Sequence, residues 1–375
     1  MSAGVAGIEG ATSATARDPS AAGAVRIWLY VLAALVVVMV GIGGATRLTG
    51  SGLSITEWKP VTGAVPPLSD AGWQTKFGKY RESSQYRNLN RGMELGEFKT
   101  IYWWEWSHRQ LGRLIGVAFF LPLLVFWRRG ALNRRIAAAL VGIGLLGGLQ
   151  ATVGWIMVAS GLQPGMVAVA PVKLMLHLLL ASLILVLLVW VAAGLKPERA
   201  GQRQAASAAP LVFVGLVLLQ IGLGGLVAGS KAGLTYNTWP LMDGQLVPSA
   251  GALLSARPIV ENFVDNPLTV QFQHRTVAYL VVAFALWQAW SLRRGAPGSA
   301  AARSATGLAA MSFAQMALGI VTLLLAVPLW AGLAHQLLAM AILVMATVHA
   351  RRCRSLEGPD RVPDAPAPVR AGAPR

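Results

Sequence analysis

The sequence predicts an all-α membrane protein in which eight transmembrane helices form two pseudo-symmetric four-helix bundles. Three observations carry that expectation. The 375-residue chain is 55% hydrophobic with a mean hydropathy of +0.56, too apolar for an ordinary soluble domain. Eight apolar segments each approach the roughly 20 residues that a bilayer requires. Four of the five histidines, His108, His177, His274 and His335, fall near the start of such segments, two in each half. Side chains of this kind are expensive at membrane depth and are usually functional.

Taken in order, residues 1–25 are rich in Ala, Ser and Gly and lack the charged start and apolar core of a signal peptide, so a disordered tail is expected. The first span, roughly 27–45, reads as an uncleaved anchor; the others lie at roughly 108–127, 136–158, 173–194, 210–229, 271–292, 305–327 and 331–350. One bundle is expected over 26–195 and the other over 210–352, with a linker at 196–209 and a second disordered tail, rich in Pro, Ala and Arg, at 353–375.

Basic residues sit in the short connections: Arg128, Arg129, Arg134 and Arg135, then Lys196, Arg199 and Arg203, then Arg293, Arg294 and Arg303, and finally Arg351, Arg352 and Arg354. The positive-inside rule places these segments, and with them both termini, on the cytoplasmic side of a multi-pass membrane protein. The net charge of +17 is therefore a topology signal in a lipid setting, and nucleic acid is not an expected partner. Two long connections, roughly 46–107 and 230–270, fall on the outer face; the first carries Pro66-Pro67 and mixed charge and suits a lid. The single cysteine, Cys353, cannot form an internal disulfide, and without a C-x-x-C-H sequence any haem would not be thioether-linked.

The halves repeat. Gly-Ile-Gly-Gly at 41–44 is echoed at 222–225, Gly-Leu-Ser-Ile-Thr-Glu-Trp at 52–58 by Gly-Leu-Thr-Tyr-Asn-Thr-Trp at 233–239, and His108-Arg109 by His274-Arg275. Four spans per unit is an even number, so both units enter the membrane in the same direction and are related by an axis along its normal.

Each unit offers two imidazoles from facing helices, the arrangement that holds a flat tetrapyrrole. A lone membrane histidine more often bonds one helix to another. Two pairs at matching places favour haem, and no carboxylate or thiolate cluster completes a zinc or copper set. Glu105 stands three residues before His108, on the same helical face, whereas the equivalent position is Gln271. A first-turn glutamate favoured by the helix dipole is the plain alternative. The acid in one half and the amide in the other suggest that one site does chemistry and the other does not. Arg47, Arg109, Arg113 and Arg275 are candidate propionate partners, although interfacial arginines also snorkel to headgroups. Trp58, Trp103, Trp104, Trp106 and Trp239 fit an interfacial belt or a pocket lining.

Several stretches resemble the haem A synthase family of mitochondria and proteobacteria: Gly-Gly-Ala-Thr-Arg-Leu-Thr-Gly-Ser-Gly-Leu-Ser at 43–54, Glu-Phe-Lys-Thr-Ile-Tyr-Trp-Trp-Glu-Trp-Ser-His-Arg at 97–109, Gln-Phe-Gln-His-Arg at 271–275 and His-Gln at 335–336. The resemblance implies an oxidoreductase acting on a CH or CH3 group, which converts a methyl of haem O into a formyl group to give haem A for terminal oxidases. It implies substrate haem at His108 and His177 with Glu105 as the essential acid, and a haem b cofactor with its iron at His274 and His335. Haem O as the bound partner, handed on by a haem O synthase, and a homo-oligomeric state are further expectations. Some bacterial members carry a cysteine pair in the outer loops, and this chain has none there, so no redox role of such a pair operates here. A methyl carbon must lose electrons twice, through an alcohol and a geminal diol that dehydrates to the aldehyde; haem supplies the oxidising chemistry and the protein handles protons. A di-haem b electron-transfer subunit of the quinol oxidoreductase type is the alternative reading, but it usually stacks its haems across the membrane, whereas these histidines all lie near one face. A repeat-built transporter would expect polar residues at the midplane, which these spans lack.

Overall fold

A computed structural model describes residues 19–195 and 207–355. Eight long helices dominate it: α1 (Pro19–Leu48), α2 (Leu95–Arg128), α3 (Arg134–Gly161), α4 (Pro171–Gly194), α5 (Ala209–Gly229), α6 (Pro267–Gly295), α7 (Ala300–Leu324) and α8 (Leu329–Ser355). No strand occurs among the described residues. Seven of the helices are long and apolar enough to cross a membrane, all but α6, so the chain is a multi-pass membrane protein.

Local chemistry explains where several helices begin. Asn133, Asn266 and Ser299 cap α3, α6 and α7 by accepting backbone N–H bonds from Ile136, Leu268 and Ala302. Glu94 and Glu97 form a capping box at the start of α2. Proline within the first turn of α4, α5 and α6 removes a donor that would have had no intrahelical partner.

The boundaries correct the sequence reading in places. Helix α1 begins at Pro19, inside the tail expected at 1–25, because Val25 is already packed in the core. Helix α2 begins at Leu95 rather than near His108: Phe98, Ile101 and Tyr102 have an apolar cluster in the preceding loop to pack against, so the helix extends. Helix α8 continues through Ser355, past the expected start of the last tail at 353. The remaining parts of the expected tails and linker, 1–18, 196–206 and 356–375, lie outside the described residues.

Helices α1 to α4 contact one another in a closed ring, and so do α5 to α8. Helices α1 and α4 of the first ring pack on α5 and α8 of the second. One contact breaks the likeness, for α2 touches α3 far less than α6 touches α7. Small residues bring the rings together. A Cβ on Gly44 or Gly41 would meet Gln336 or Leu337 of α8, and one on Gly225 or Gly222 would meet Met175 or Leu179 of α4.

The long loop before α2 folds. It carries helices at Asp70–Arg81 and Ser84–Leu89, capped by Ser69 and Ser83. Trp73, Phe77 and Tyr80 recur at helical spacing and pack on Phe98 and Tyr102 of α2, forming a second small core outside the ring.

Candidate functional site

The four histidines sit in four versions of one cradle. His108, His177, His274 and His335 lie on α2, α4, α6 and α8, and each presses its ring Cε1 against a glycine of the preceding helix. A Cβ on Gly43, Gly154, Gly224 or Gly319 would stand 2.9, 2.8, 3.2 or 2.8 Å from that carbon. Any larger residue there displaces the imidazole. In the second ring His274 and His335 approach with ring centroids 6.5 Å apart, and in the first His108 and His177 are close enough to interact electrostatically. Buried Nδ1 atoms of His108, His177 and His335 have no hydrogen-bond partner. Orphaned ring nitrogens are costly unless a ligand uses the ring, so this donor set fits a group bound through imidazole. Among the described residues no three His, Cys, Asp or Glu side chains gather into another metal set.

Glu105 is 3% exposed and lies one turn from His108. Three donors converge on its carboxylate: Arg109 Nη2 at 2.6 Å, Ser54 Oγ at 2.8 Å and the Ile55 backbone N–H at 2.8 Å. The equivalent Gln271 is 2% exposed and has the opposite polarity of contact, because its Nε2 donates to the Ala232 carbonyl at 2.7 Å while its Oε1 has no partner. Ser54 and Ile55 were not singled out from the sequence as partners of the acid. The signal available was their place in Gly-Leu-Ser-Ile at 52–55, the stretch echoed by Gly-Leu-Thr-Tyr at 233–236.

The arginines expected at propionates are engaged by the protein. Arg109 donates to the carbonyls of Ile55 and Glu57 at 2.9 and 3.1 Å. Arg275 repeats this with Tyr236 and Thr238 at 3.0 and 2.8 Å, keeping a buried Nε–H unpartnered. Arg47 donates to the Ala228 carbonyl at the end of α5, and Arg113 to Pro60 and Lys59. Arg109, Arg113 and Arg275 thus tie the loops that follow α1 and α5 to α2 and α6, which carry His108 and His274, while Arg47 ties the end of α1 to that of α5. Trp58 lies beside Arg109, 5.8 Å from its guanidinium carbon, and 6.2 Å from Trp155.

Above this clamp a cavity of about 310 Å³ is lined by Glu57, Lys59, Lys76, Tyr102, Arg109 and Arg113, among others. Glu57 is gripped by Lys76 at 2.6 Å and Lys79 at 2.5 Å, which hold its carboxyl down at about 2. The fifth histidine, His349, stands apart near the other end of α8 and bonds Ser304 Oγ at 2.7 Å, a contact between helices.

Fold and site together define a class: a multi-pass helical membrane protein with two related pairs of part-buried histidines, one pair accompanied by a buried acid. A sequence profile described as cytochrome oxidase assembly protein matches residues 26–347. The chain is 62% identical to a haem A synthase of Methylorubrum extorquens, over 94% of this chain and 91% of that protein. It is 63% identical to one of Methylobacterium sp. (strain 4-46), over 90% and 95%, and 54% identical to one of Azorhizobium caulinodans, over 89% and 95%. The chain belongs to the haem A synthase family.

Proposed function

We propose that this chain is a haem A synthase in which the first ring of helices, α1 to α4, receives haem O and the second, α5 to α8, keeps a haem b. The observation that carries this reading is the acid-for-amide exchange within otherwise matched cradles: Glu105 with three donors in the first ring, Gln271 in the second. Two sites built alike for electron transfer alone would give no reason for that difference.

When bound, haem supplies the oxidising chemistry that turns a ring methyl into a formyl group. His108 and His177 bind and orient the substrate, and the glycines at Cε1 fix where the two rings stand. Glu105 takes up a proton released as the methyl carbon is oxidised, or stabilises positive charge developing there. Arg109 and Ser54 hold the carboxylate toward the His108 face, so that it need not reorganise during the reaction. His274 and His335 hold the resident haem b. Arg47, Arg109 and Arg275 would be the partners of haem propionates, and Arg275 Nε–H, without a partner of its own, is a donor such a group could use.

The same reading makes α6 an eighth span. It takes its place in the second ring between α5 and α7 and matches α2 in carrying the His-Arg pair, which supports two related bundles over 26–195 and 210–352. The basic connections then face the cytoplasm of a bacterium, with both termini, and the histidine ends face outward. A haem O synthase in the same membrane is the source of the substrate.

The test is Glu105→Gln in a strain lacking its own haem A synthase. Extracted haems identified by mass are expected to contain haem O and haem b and at least 10²-fold less haem A, the general acid–base contribution at its lower bound. Unchanged haem A yield would remove Glu105 from the mechanism.

A further inference from the structure

Three of the four histidine cradles contain a glutamine, and the fourth does not. Gln150, Gln220 and Gln315 lie one turn before Gly154, Gly224 and Gly319 on α3, α5 and α7. In each case the amide nitrogen donates to the backbone carbonyl of the histidine itself, at 3.1 Å for His177, 3.0 Å for His274 and 2.8 Å for His335. The same nitrogen lies 3.3 Å from Nε2 of His177, 3.1 Å from Nδ1 of His274 and 3.4 Å from Nε2 of His335. One side chain therefore grips both the backbone and the ring of its histidine, while the glycine a turn away seats Cε1. All three amide oxygens are buried without a partner.

The corresponding place on α1, one turn before Gly43, is Met39. A thioether cannot donate to the carbonyl and is a weak acceptor for a ring N–H. The His108 ring accordingly makes no hydrogen bond to the described residues, and the Met39 methyl packs instead toward Gly112. The sparse contact between α2 and α3 falls in this same ring of helices.

We infer that Gln150, Gln220 and Gln315 are positioning residues that fix the imidazole planes of His177, His274 and His335, and that Met39 leaves His108 unclamped, so the first site exchanges its haem at that histidine while the second retains its own. This rests on the reading of the four histidines as haem ligands. The asymmetry suits a protein that must release one haem as product and keep the other.

The experiment uses the purified full-length chain carrying both haems, mixed with excess apomyoglobin, with haem transfer followed by absorbance and reduction potentials measured in parallel. Two release phases are expected, the fast one from the first site. Met39→Gln is expected to slow the fast phase, and Gln220→Met to speed the slow one, each by about 10- to 100-fold, the usual effect of a group that orients a metal-bound histidine. Gln220→Met removes the N–H donor that grips the His274 carbonyl and ring, and Gln220→Glu keeps the size of the side chain but as a carboxylate likewise lacks that donor, so both variants are expected to speed the slow phase and shift the potential of the second haem. A residue that only filled space would be replaced by Glu, of nearly the same size, without effect. An unchanged fast phase in Met39→Gln, or unchanged release and potential in both Gln220 variants, overturns the inference. Retention of haem in the second site by His274→Ala or His335→Ala would instead overturn the ligand assignment beneath it, whatever the glutamines do.

Discussion

The pair Glu105 and Arg109 sets the energetics at the residue scale. Both side chains are largely withdrawn from solvent, at 4% and 15% exposure, so removing one partner strands the other. Arg109→Met is expected to cost about 3–5 kcal/mol, the usual penalty for an uncompensated buried charge. The double variant with Glu105→Gln recovers most of it, because the stranded charge is gone. Thermal unfolding midpoints of the two variants in one detergent test this, and equal losses in both would show that Arg109 acts through the Ile55 and Glu57 carbonyls and not through the acid. The histidine pairs and Glu105 were legible in the sequence, since ionisable groups in apolar segments are rare and these fall in a repeat. Ser54 and the glutamines were not. A hydroxyl after a glycine-rich turn, or one amide in an apolar helix, has many structural uses, and only the approach of distant segments gives it a particular partner.

Among the elements, the loop before α2 departs most from its expected form. A long polar connection was legible, but its second core was not, because Trp73, Phe77 and Tyr80 become a helical face only when Phe98 and Tyr102 of α2 extend to meet them. Glu57 fastens this element from the other side through Lys76 and Lys79, and the Glu57 carbonyl also receives Arg109. Its carboxyl is held at about 2 against an ordinary 4.5, chiefly by the hydrogen bonds from the two lysines. The stability this contributes is fully present above the ordinary value and is lost as pH falls through about 2. Glu57 is partly exposed, so the contribution is modest and screened by salt. Proteolysis within the loop is therefore expected to quicken between pH 4.5 and 2 in the native chain, using an acid-active protease, with Glu57→Gln already fast at pH 4.5 and little changed below it. A native loop whose cleavage rate is flat over that interval would remove Glu57 as its fastener.

For the whole molecule the question is whether α6 crosses the membrane, since it alone among the long helices is not apolar enough by composition. Its polar residues explain the shortfall. Gln271, Gln273, His274 and Arg275 stand near one end, Arg293 and Arg294 at the other, and Gln288 and Gln271 are buried against neighbouring helices rather than turned to lipid. A helix whose polar groups face its own ring is compatible with spanning, although its average hydropathy is low. The number of crossings decides the side on which every later loop falls. With α6 crossing, the connection between α7 and α8 lies on the same face as the loop between α5 and α6; without it, the two lie on opposite faces. Leu246 and Leu325, in those two connections, are 71% and 53% exposed and accept a cysteine without disturbing a core. In a Cys353→Ser background, Leu246→Cys and Leu325→Cys are both expected to react with a membrane-impermeant maleimide added outside intact cells stripped of their outer membrane. Reaction at Leu246→Cys alone would leave α6 on one face, place the C-terminal end of α8 outside, and remove the topological match between the two rings on which the paired sites depend.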